Sequence, residues 1–176
     1  VQKKVEKKLL KLFTGELSAT IIFALVWIEF LQLYRWTVPY LTSFSSLYAF
    51  ALLEFILLQG SYYWFLKLKQ TKRKDYSHLP YRQLKIFAVF RGFNLFLIGI
   101  GIIIMIYQLV VFPIEFFWFV FLYFFAIIEY INYYHIRLSY QSIDEIKELI
   151  RQKELRSSKL AKELKTFNNS QKNNNV

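Results

Sequence analysis

The stretch LFLIGIGIIIMIYQLVVFPIEFFWFVFLYFFAII, residues 95–128, decides the fold class. Residues 98–106 are apolar without interruption, so the period-two alternation of a membrane β-barrel strand is missing and a barrel is rejected. Pro113 divides the stretch. Proline lacks an N–H and clashes with the helical turn before it, so Phe112-Pro113 marks a tight hairpin between antiparallel arms. A helix needs about 20 apolar residues to cross a hydrocarbon layer about 30 Å thick. Working outward from the hairpin, four stretches meet that length: 15–34, 44–66, 86–109 and 114–134. Pro39 and Pro80 fall in the remaining links. The expected fold class is an all-α integral membrane protein, a four-transmembrane-helix bundle.

Composition agrees. The 176 residues are 56% hydrophobic and 20% aromatic, yet the formal charge is +11. An average globular chain is about 45–50% apolar, and such an excess beside so much positive charge requires the two to be segregated. Lipid solvates the first; water and anionic headgroups solvate the second. With no cysteine, the chain has no disulfide framework, thiolate nucleophile or cysteine-bearing metal site.

Lysine and arginine in short loops stay on the cytoplasmic side. Five lysines precede the first span, seven cations occupy the loop 67–85 and nine follow the fourth span, whereas Arg35 alone lies in the opposite loops and Arg91 is inside the third span. Both termini are therefore expected to be cytoplasmic. The basic N-terminus resembles the start of a signal peptide, but its apolar segment is too long and lacks a small-residue cleavage site; it is read as a retained helix.

Residues 1–14 carry Val5, Leu9, Leu12 and Phe13 at helical spacing among lysines, an amphipathic segment suited to the headgroup layer. Residues 137–166 are expected to form a basic cytoplasmic amphipathic helix. Ser142 and Glu145 have capping-box spacing at its start, and Leu155, Leu160 and Leu164 continue its apolar stripe. The asparagine-rich residues 167–176 read as a disordered tail. Aromatic residues concentrate in the spans and at their ends, and topology accounts for the lysines, so nucleic acid is rejected as a partner. The loop cations Lys67, Lys69, Lys72, Arg73 and Lys74 are expected to contact anionic lipid.

Polar residues inside the spans supply the candidate sites, because a mid-membrane charge costs about 2.5–3.5 kcal/mol on insertion scales and needs a partner. Counting residues from the membrane boundary pairs Arg91 with Glu129, and Glu54 with Asn94. Glu29, with Gln32 one turn along, has no cation at its depth; Tyr48 or Ser46 are its expected donors, and it is the best proton-carrier candidate. His135 and Asn132 lie where the fourth span exits. Gly92, Gly99 and Gly101 are read as helix-packing positions. Neither a metal site nor any other cofactor is expected.

The leading functional reading is a non-enzymatic accessory or interaction module of the cell membrane. Its partners would be membrane lipids, a second copy or another membrane protein. The alternative is a small oligomeric proton-coupled transporter or channel using Glu29 or Glu54. An intramembrane enzyme using Glu129 and His135 ranks last, since two residues six apart on one helix do not face alike.

Overall fold

A computed structural model of the chain describes residues 2–75, 77–136 and 157–174. The described residues are helical, without strands. They comprise α1 (Gln2–Leu33), α2 (Val38–Leu41), α3 (Phe44–Lys72), α4 (Tyr81–Val111), α5 (Phe116–Tyr134) and α6 (Lys159–Asn174). Four of them, α1, α3, α4 and α5, are long and apolar enough to cross a membrane. The expected capping box at Ser142 and Glu145 lies outside the described residues.

The punctuation follows backbone chemistry. Pro39 sits in the first turn of α2 and Pro80 at the N-cap of α4, positions where a missing N–H leaves no hydrogen bond unmade. Phe112 closes α4 in the left-handed conformation (φ 47°), its N–H bonded to the Gln108 carbonyl, and Pro113 follows. Ser43 caps α3 by accepting the Ser46 N–H. The buried Thr37 hydroxyl donates to the Phe30 and Tyr34 carbonyls at the end of α1.

Helix α3 is the axis of the bundle. It packs against α1, α5 and α4, so Leu52, Leu53, Ile56 and Leu57 are all buried along an arc of about 140° of its circumference. Helices α1 and α4 are outer helices. They expose Ile21, Ile22 and Leu25 on one, and Ile102, Ile103 and Ile106 on the other. Large apolar side chains exposed along whole helices are what lipid, not water, solvates, and together the four helices mark a membrane protein.

Lengths differ in a way that shapes one end. At 1.5 Å per residue α1, α3 and α4 extend about 48, 44 and 46 Å, whereas α5 extends only about 28 Å. The last residue of α5, Tyr134, reaches Gln59, and about 20 Å of α3 continues past that level. The recess below α5 is filled by the Ser158 turn and α6. Ser158 caps α6 by accepting the Ala161 N–H, donates its backbone N–H to the His135 carbonyl, and bonds the Tyr133 carbonyl through its hydroxyl. Leu160, Leu164 and Phe167, spaced four and three apart, bury one stripe of α6 in the core, with Phe167 against the Tyr81 ring. This docking carries the helix beyond Phe167, where the sequence suggests a disordered tail, through to Asn174.

Candidate functional site

The buried polar groups fall into separate assemblies at different depths. At the centre, Gln59 and Asn94 exchange two amide hydrogen bonds: Gln59 Nε2 donates to Asn94 Oδ1 (3.1 Å), and Asn94 Nδ2 donates to Gln59 Oε1 (2.7 Å). The Tyr134 hydroxyl also donates to Gln59 Oε1 (2.5 Å). All three residues are buried, so α3, α4 and α5 are joined through neutral groups that satisfy one another without a charge. Asn94 therefore pairs with Gln59 and not with Glu54, as residue counting suggested. Gln59 lies seven residues from the end of the expected second span and Asn94 eight from the start of the third, which makes the two amides level. Glu54 is more than a turn farther out, and one of its carboxyl oxygens is buried without a hydrogen bond.

The expected Arg91–Glu129 ion pair is also absent among the described residues. Arg91 lies one turn inside Asn94, within electrostatic reach of Tyr130 and Tyr134. Measured from the hairpin that joins their helices, Arg91 lies 20 residues inside Val111 but Glu129 only 13 inside Phe116, so the two differ in depth by about 10 Å. Glu129 instead accepts a bond from Asn132 Nδ2 (3.2 Å) and sits close enough to Glu16 of α1 for the two acids to repel. Glu29 and Gln32 are exposed on α1. The donors expected for Glu29 are engaged or buried elsewhere: Tyr48 donates to the Leu97 carbonyl (2.5 Å), and Ser46 is buried. His135 is exposed and stacks edgewise on Tyr130. The candidate intramembrane residues thus do not form one network.

Glu16 was not distinguished by sequence, because it stands at the expected edge of the first span. It accepts a hydrogen bond from the Tyr133 hydroxyl of α5. The Tyr133 ring reaches it by crossing α3 at Gly60, where an added Cβ would stand 2.2 Å from the ring. Of the glycines expected to mediate packing, Gly101 does so, against Tyr123 of α5; Gly92 and Gly99 face open space.

Beside this crossing lies a pocket of about 220 Å³. One face of α1, with Val5, Leu9, Leu12 and Glu16 spaced four, three and four apart, forms one wall; Tyr63 and Trp64 of α3 and Tyr133 of α5 form others. Lys8 and Lys159 also line it, and the Lys159 ammonium lies 6.0 Å from the centre of the Trp64 ring. The pocket therefore combines two cations, aromatic rings and an aliphatic wall.

A second charged group holds the floor. Lys67, expected at the lipid surface, is instead only 14% exposed and pairs with Glu163 of α6 at 2.5 Å while donating to the Ser77 carbonyl at 3.1 Å. Its burial follows from α6 covering this end of α3. Glu163 also accepts the Leu79 N–H at 3.3 Å. Gln70 organises the loop, its amide donating to Asp75, Ser77 and the His78 carbonyl. The Ser77 backbone N–H, then its side chain and Gln70, hold the Asp75 carboxyl at about 2, below the usual carboxylate range. Lys69, Lys72, Arg73 and Lys74 are exposed. Among the described residues no group of three metal-ligating side chains converges.

No family model, curated protein or solved structure matches this chain.

Proposed function

We propose that the protein is a non-enzymatic, four-span accessory or interaction module of the cell membrane, with both termini cytoplasmic and a basic cytoplasmic end that engages anionic lipid. The observation that carries this reading is the meeting of Val5 and Lys8, near one end of the sequence, with Lys159 and Leu160, near the other, in one pocket. An even number of crossings brings the two ends to the same face. The exposed cations Lys69 and Lys72, in the last turn of α3, and Arg73 and Lys74, just after it, lie between the second and third spans, and attraction to an anionic membrane contributes about 1 kcal/mol for each such residue near the surface. Extraction into mild detergent tests the reading. The protein is expected to carry anionic phospholipid or a stoichiometric protein partner; a lone monomer with no lipid preference contradicts it.

Proton-coupled transport is the second reading, favoured by the buried, unpartnered carboxyl oxygen of Glu54. Reconstituted vesicles with a pH-sensitive dye test it: Glu54→Gln is expected to abolish proton flux, and an unchanged flux removes Glu54 from the mechanism. Glu29, exposed on the outer face of α1, has no such support.

A further inference from the structure

We infer that the pocket between α1, α3, α5 and the start of α6 seats one acyl chain of an anionic phospholipid, with the lipid phosphate at Lys8 and Lys159. This rests on the proposed engagement of anionic lipid but is more specific: it assigns a single, structured site, distinct from the diffuse attraction of exposed loop cations.

Three properties select the occupant. The volume, about 220 Å³, is below the roughly 300–1,000 Å³ of pockets that enclose drug-sized ligands, so a slender chain fits where a bulky ring system does not. The wall is aliphatic along Val5, Leu9 and Leu12, while Lys8 and Lys159 bring two ammonium groups from opposite ends of the sequence. Lysine serves as a point-charge binder of phosphate. Finally, the charges are graded along the pocket. Lys8 and Glu16 are separated by about 12 Å along α1 at 1.5 Å per residue, and the Glu16 carboxylate already accepts the Tyr133 hydroxyl. The anionic head therefore belongs at the lysine end, with the chain running along Leu9 and Leu12. Trp64 and Tyr133 flank the site as aromatic rings do at the headgroup boundary. The extra length of α1 and α3 beyond α5 leaves a recess at this level, and the Ser158 turn and the start of α6 close one side of it, so that the pocket remains between them and α1.

Delipidated full-length protein, titrated with phosphatidylglycerol or phosphatidylcholine and read by native mass spectrometry, provides the test. One phosphatidylglycerol is expected to bind tightly. Lys8→Gln and Lys159→Gln should each weaken it about fivefold, the equivalent of roughly 1 kcal/mol per cation, and Leu12→Trp, which fills the pocket, at least tenfold. Neutralising the exposed residues Lys69, Lys72, Arg73 and Lys74 at and after the end of α3 should leave that one site intact. A diazirine placed on the acyl chain of phosphatidylglycerol keeps the test independent of variant folding: in the wild-type protein it should crosslink to the α1 stripe or to Trp64 and Tyr133. Crosslinks confined to the outer faces of α1 and α4, or a tight site that survives Leu12→Trp and is lost with the loop cations, overturn the pocket assignment while leaving the broader reading standing. Equal binding of both lipids by every form overturns both.

Discussion

At Gly60 one side chain ties three helices together. Tyr133 leaves α5, passes over α3 where Gly60 has no Cβ, and donates to Glu16 of α1. Gly60→Ala is expected to destabilise the protein by about 1–3 kcal/mol, as overpacking does. Gly99→Ala, with nothing within 4 Å of the added carbon, should be neutral or stabilising by up to about 1 kcal/mol, the helix-propensity difference. Unfolding in mixed micelles measures both, and equal effects would contradict the crossing. The Gln59–Asn94 pair makes a second claim at this scale. Interhelical hydrogen bonds in membranes average about 0.6 kcal/mol in double-mutant cycles, with a maximum near 1.7. Because this pair is reciprocal and buried, a Gln59→Leu and Asn94→Leu cycle should give a coupling toward the upper value, and the Glu54–Asn94 cycle none.

At the scale of elements, α6 is held to the base of α3 by Glu163. Its carboxylate meets Lys67 and the Leu79 N–H. Glu163→Ala should speed hydrogen exchange throughout α6 and leave α4 and α5 unaffected beyond the Gln59–Asn94 level, away from the ends that α6 touches. The loss should be smaller than the roughly 3–5 kcal/mol of breaking a fully buried pair, because Lys67 keeps the Ser77 carbonyl. Undiminished protection of α6 would show that Leu160, Leu164 and Phe167 dock it alone. The loop from α3 to α4 responds to acid in a defined direction. The Asp75 carboxyl is held at about 2 in the folded loop against an ordinary 3.8. Its stabilising contribution is therefore complete above the ordinary value and is lost as pH falls through about 2. The Ser77 amide, bonded to Asp75 at 2.9 Å, should stay protected at pH 5 and lose protection between pH 4 and 2. In Asp75→Asn that pH dependence should vanish.

At the scale of the whole molecule, the sequence declares the helices clearly and their partners poorly. Four apolar stretches and three prolines mark the helices and turns, because hydrocarbon length and the missing proline N–H act locally. The polar pairings depend on how deep each helix ends, which no local signal carries. Equal span lengths would make Arg91 level with Glu129, yet from their shared hairpin Arg91 lies 20 residues along α4 and Glu129 only 13 along α5. Gln59 carries no charge to set it apart from other polar residues, although its distance from the span end matches that of Asn94. Lys67 looks like its basic neighbours, and only the docking of α6 distinguishes it. Glu16 became part of a site through a tyrosine 117 residues away.

In the proposed topology four helices cross the bilayer and return both ends of the chain to the cytoplasmic face. Since the chain has no cysteine, single substitutions to cysteine at Lys3, Lys72, Ser170 and Arg35 can be labelled in intact cells with a membrane-impermeant maleimide. Only the cysteine placed at residue 35 should react before the membrane is permeabilised, and the other three should react afterwards. Labelling of residue 3 and residue 170 from opposite sides, or of residue 72 from outside, would contradict it.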